Sequence, residues 1–207
     1  MGLKDTKIRF SEAEMAFLTD TSLFEKKRNI INKTIALFGE IEQSFHHLAA
    51  NYGSVVPEDA LKKRGKISRG ENYKGLPYVI LDHPAVFSKD GIFAFRSLMW
   101  WGNPFSFTFH ISGNFLTDFQ VVMANGLKTR EFSNTLICIN SNQFEHHLGE
   151  SNYQKLPSFL NSGRTIDELI KQQGFIKIAI AVPLEDIKNL NDQGIVFLEK
   201  ILDLLSG

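Results

Sequence analysis

The chain has 207 residues, 43% hydrophobic and 22% charged, which suits a globular protein able to bury its own core. Lys plus Arg and Asp plus Glu stand at 23 each, so no overall field draws the protein to nucleic acid or to an anionic membrane. A single cysteine, Cys138, excludes an intramolecular disulfide framework.

The opening MGLKDTKIRFSEAE contains no leader-like apolar core and no matched lipid-attachment signal at Gly2. No apolar run approaches the ~20 residues of a membrane span. Together with the lone cysteine, these features predict a cytoplasmic protein with no membrane partner. Ser22 and Glu25 have the spacing of a capping box and predict a helix to about Tyr52. Ile30, Thr34, Leu37, Ile41, Phe45, Leu48 and Tyr52 recur at helical steps, widened by Ile31 and Phe38. Such a helix, roughly 45 Å long, must lie across a flat surface. Pro57 to Arg64 predicts a short helix stopped by Gly65, and Lys66 to Pro77, with its glycines, reads as a loop.

From Tyr78 the period changes to two. YVILD predicts a strand ended at His83-Pro84, and IFAFRSLMWW and FSFTFHIS predict a hairpin. GNFLTDFQVVMANG fits strand alternation and helical spacing alike, and strand is preferred. TLICIN predicts a strand, SNQFEHHLGE a short helix, and Thr165 with Glu168 a capped helix stopping at Gly174. FIKIAIAVP is the clearest strand, and Ile195–Leu205 the closing helix. Strands in the middle and helices at both ends predict one α+β domain. About five antiparallel strands would be covered on one face by the Ser22–Tyr52 helix and the terminal helix.

The hairpin locates the candidate site. A three-residue loop, Gly102 to Pro104, sets Trp101 opposite Phe105, Met99 opposite Phe107 and Phe95 opposite Ile111. One face is then apolar, while the other carries Trp100 with Ser106, Leu98 with Thr108, and Arg96 with His110. A guanidinium beside an imidazole can hold an anion, with Trp100 as a stacking surface and Thr108 as a hydroxyl. The commoner outcome for such a face is plain solvation. Lys62, Lys63, Arg64, Lys66, Arg69 and Lys74 make a basic stretch with Tyr73 inside it. Its glycines do not match a phosphate loop, and the first three charges already suit a helix C-terminus, so nucleic acid is not the preferred partner.

The pairs His46-His47 and His146-His147 lack metal-ligand spacing, and His46 and His47 fall outside the apolar stripe, where solvent is expected. Cys138 between isoleucines predicts a small buried side chain. Asp82-His83-Pro84 reads as a turn. No metal or cofactor is predicted. The preferred reading is a binding module for a small anionic or aromatic ligand, formed by Arg96, Trp100, Thr108 and His110 and rimmed by the Lys66–Lys74 loop with its Arg69 and Tyr73. The alternatives are an acid–base enzyme using His110 or His83 with Arg96, and an interaction protein completed by a second copy.

Overall fold

A computed structural model describes residues 7–207. The reading of the leader and of Gly2 therefore lies partly outside the described residues. Helices α1 (Glu12–Thr19), α2 (Ser22–Ala50) and α3 (Glu58–Lys62) precede strands β1 (Lys66–Tyr73), β2 (Leu76–Phe87), β3 (Gly91–Trp100) and β4 (Phe105–Ser112). Helix α4 (Gly113–Gly126), strands β5 (Leu136–Cys138) and β6 (Tyr153–Lys155), and helices α5 (Leu156–Asn161) and α6 (Ile166–Gln173) follow. Strand β7 (Phe175–Val182) and helix α7 (Leu190–Ser206) close the chain.

The fold is α+β, and the sheet has seven strands rather than about five, in the order β1-β2-β3-β4-β7-β5-β6 with antiparallel pairing throughout. One extra strand is β1, read as a loop from its glycines and charges. It is an edge strand, where exposed charge is the usual defence against further pairing. The other is β6, from Tyr153. Strand β2 does not end at His83. It continues to Phe87 through an irregularity between Asp82 and Ala85 that contains a cis His83–Pro84 bond.

Residues 113–126 form a helix, not the preferred strand. The chain leaves β4 at Gly113 with φ +61°, where a Cβ would lie 2.1 Å from the Asp90 carbonyl oxygen, so glycine is required to start that helix beside β3. Residues 141–150 are irregular rather than helical. The C-terminal helix begins at Leu190, five residues before its predicted start.

Helix α2 has the predicted length but not the predicted cap. Its N-cap is Thr21, with no side-chain hydrogen bond, and Ser22 is already helical. True capping boxes occur at Ser11 with Glu14 and at Thr165 with Glu168. The buried stripe of α2 is Ile31, Thr34, Phe38, Ile41, Phe45 and Ala49, one residue round from the predicted line, so Ile30 faces outward.

This stripe meets the aromatic face of the sheet. Phe45 packs edge-on against Phe95 at 5.1 Å and Phe107 at 5.9 Å, and Phe38 against Phe105 at 6.2 Å. Helix α7 adds Phe197 beside Phe95. Among the described residues, no helix is long and apolar enough to cross a membrane.

Candidate functional site

The hairpin keeps its predicted faces but not its predicted register. Leu98 pairs with Ser106, Arg96 with Thr108 and Ala94 with His110, because the loop runs from Trp101 to Pro104. This register differs from the expected one by two residues, and a shift of two preserves which side each residue faces. Phe105, Phe107 and Phe109 therefore enter the helix-covered core, while Ser106, Thr108 and His110 face the other way. Arg96 and His110 are diagonal neighbours on that second face instead of direct partners.

The second face is not solvated. Residues 140–152 form an irregular strap across it, leaving Thr108 8% and His110 7% exposed. Side chains on four strands hydrogen-bond to the strap, those on β7 and β1 to its backbone and those on β4 and β3 to its side chains. On β7, the Lys177 ammonium donates to the carbonyls of Gln143 (3.0 Å) and Glu145 (2.6 Å). On β1, the Tyr73 hydroxyl accepts from the amides of His146 (2.8 Å) and His147 (2.9 Å) and donates to the Glu145 carboxylate. On β4, His110 Nε2 meets Gln143 Oε1 at 3.1 Å. On β3, Arg96 Nη1 lies 3.0 Å from His146 Nε2.

Tyr73→Phe removes the acceptor of two amides and the donor to one carboxylate. It is expected to destabilise the protein by about 1–3 kcal/mol. Hydrogen exchange at residues 146 and 147 should quicken well beyond that of the core strands, which checks whether the strap loosens first.

Arg96 already has an anion. Its Nε and Nη2 donate to the two carboxylate oxygens of Asp82, at 2.7 and 2.9 Å, directly across from it on β2. Burial, reinforced by Lys177 and Arg96, pushes His110 down to about 3. Burial with the charges of Arg96 and Lys177 does the same to His146, also to about 3. Burial lowers Lys177 to about 8 and drives the wholly buried Tyr153 hydroxyl well above the usual phenol range. At neutral pH both imidazoles are therefore uncharged hydrogen-bonding groups. Arg96, Thr108, His110, His146, Tyr153 and Lys177 line a void of about 20 Å³, room for one water molecule.

An open cleft of about 560 Å³ adjoins this void towards the hairpin tip. Its walls are Leu98, Trp100, Pro104, Leu136, Leu148 and Ala181, and Lys74, Asn103, Ser106, His146 and His147 supply polar groups. Trp100 is fixed by donating from Nε1 to the Tyr73 carbonyl at 3.1 Å, with the Tyr73 ring 5.1 Å away. Lys74 lies 3.5 Å from Glu145, whose carboxyl burial raises. Tyr73, Lys74 and the His146 amide outweigh that, and the net effect is a lowered value. His147 Nδ1 accepts from the Gly149 amide at 3.1 Å, which leaves the ring proton on Nε2.

The predicted site residues are thus divided. Trp100 lines the cleft, and Tyr73 supports it from behind. Arg96, Thr108 and His110 line the closed void. Arg69 belongs to neither: it pairs with Val79, shares the helix side with Ile67, and is exposed there. Lys74, from the basic stretch expected at the rim, lines the cleft, whereas His146, His147 and Lys177 join the site without a local signal, because each arrives through pairing or through the strap.

Other expectations resolve elsewhere. His83 is 1% exposed, not a turn residue, and its ring stacks at 5.3 Å on His46, which is half-buried rather than solvated. Burial, opposed by Glu42, takes His83 down to about 4. Cys138 is buried, and burial raises its thiol. Among the described residues, no three His, Cys, Asp or Glu side chains gather as a metal site would need. The basic stretch is partly paired, Lys62 with Glu58, Arg64 with Glu42 and Lys74 with Glu145. No family model, curated protein or solved structure matches the chain.

Proposed function

We propose that the protein is a binding module for a small planar aromatic ligand bearing one anionic or hydrogen-bond-accepting group, held in the Trp100 cleft. The observation that carries this reading is the combination of an apolar, tryptophan-walled cleft of about 560 Å³ with Lys74 and His147 at its edge. The ring would lie against Trp100, Leu98 and Leu148, and the acidic group would meet Lys74. The ligand class is the one expected from the hairpin, but the place is the cleft beside Arg96 and His110 rather than those residues themselves. Arg96 is saturated by Asp82, and the void it lines holds nothing larger than water.

An acid–base enzyme is the weaker reading. Among the described residues, no carboxylate hydrogen-bonds to His110 or His83, and burial holds both neutral.

The test is a fluorescence titration in a Trp101→Phe background, which leaves Trp100 as the reporter, using benzoate, naphthoate and indole-3-acetate beside their neutral amides. Saturable quenching is expected. Trp100→Leu, followed by calorimetry, should weaken binding at least tenfold, and Lys74→Ala should weaken the acids but not the amides. Absence of saturable binding for every probe would overturn the reading.

A further inference from the structure

Residues 10–24 carry an exposed apolar surface. In α1 no residue is buried, and Phe10, Met15, Phe17, Leu18, Leu23 and Phe24 are each at least 40% exposed. An isolated helix of eight residues is marginal in water, so this capped helix, none of whose residues is buried, should owe its persistence to a partner. The same chain presents a matching receptor. A groove of about 470 Å³ runs between α2 and the β3–β4 hairpin, lined by Ile30, Leu37, Met99, Trp101, Leu184 and Ile187, with Lys33 on its wall.

We propose that the arm, residues 10–24, of one copy docks in this groove of a second copy, giving a two-fold exchanged dimer. Reach argues for the second copy over the chain's own arm. Only Asp20 and Thr21 separate α1 from α2, and α1 is about 12 Å long. Folded back on its own α2, its apolar residues Met15, Phe17 and Leu18 would lie short of Ile30, where the groove begins. A second copy faces no such limit. Charge is complementary as well. The arm carries Glu12, Glu14 and Asp20, whereas the side of α2 leading to the groove carries Lys26 and Lys33.

Sedimentation velocity on the full chain tests this. A dimer is expected at about 50 µM, at the weak, micromolar end of protein interfaces. Leu18→Asp, on the exposed arm, and Ile187→Asp, in the groove, should each weaken dimerisation at least tenfold. Circular dichroism of Leu18→Asp should lose no more than the helical signal of the eight-residue α1, since that side chain is 70% exposed and the rest of the fold does not rest on it. In a mixture of Phe17→Cys and Ile187→Cys chains, oxidation should produce cross-linked dimers. A chain that stays monomeric at every concentration overturns the proposal. So does an arm protected from proteolysis equally at all concentrations, which would mean docking on its own chain. Binding of the monomer to anionic phospholipid vesicles with no dimer would assign the arm to a membrane surface instead.

Discussion

Lowering the pH from 7 to 5 is expected to destabilise the protein by about 2 kcal/mol for each of His83, His110 and His146, roughly 6 kcal/mol together. The sign follows from proton uptake. Unfolded, each imidazole titrates near 6.5, whereas in the folded chain burial holds His110 and His146 to about 3 and His83 to about 4. Between those values the unfolded chain binds more protons, so stability is complete above pH 6.5 and is lost as the pH falls towards the folded values. His110 lies under the strap and His146 within it, so partial relief is available by opening residues 140–152 before the core yields. Urea midpoints at pH 7, 6 and 5 measure the total, and hydrogen exchange separates strap opening from global unfolding. In His110→Gln with His146→Gln the slope should fall by more than half. A midpoint unchanged between pH 7 and pH 5 would show that these rings are not held neutral by burial.

Phe45→Ala should cost about 3–5 kcal/mol, enough to threaten folding at 37 °C. The ring is fully buried, edge-on to Phe95 and Phe107, and the space beyond it is closed by Gly194 of α7, where even a Cβ would approach Phe45 Cζ to 2.8 Å. Neighbours locked between a helix and a sheet have little room to collapse into the cavity. Val121→Ala on α4, at 72% exposure, should change stability by no more than about 0.5 kcal/mol. Denaturant unfolding of both variants checks the contrast.

The features legible in the sequence are those set by period. Alternation in β3 and β4 put the phenylalanines on one side and Arg96, Thr108 and His110 on the other, and a two-residue error in register left that division intact. The length of α2 and the strand β7 were equally readable. The missed elements each had a competing cause. Residues 113–126 satisfy both periods, and the deciding factor was the turn at Gly113, which only the neighbouring Asp90 carbonyl explains. The glycines and charges of β1 belong to an edge strand but resemble those of a loop. Within the strap Ser141-Asn142 and Gly149 bracket a stretch as helix ends do, yet two of its amides are claimed by Tyr73, some seventy residues earlier in the chain. The same distance hid the chemistry of the site: the Arg96–Asp82 pair and the grip of Lys177 on the strap exist only once the strands have paired.

The position of β7 has a consequence for synthesis. Strands β1 to β4 can pair as the ribosome delivers them, but the free edge of β4, Phe105–Ser112, stays open until residues 175–182 arrive to fill the gap beside β5. A nascent or prematurely terminated chain therefore exposes a long, phenylalanine-rich template for cross-chain pairing. Messages cut short before codon 175 should give aggregated product, while completed chains close that edge from within.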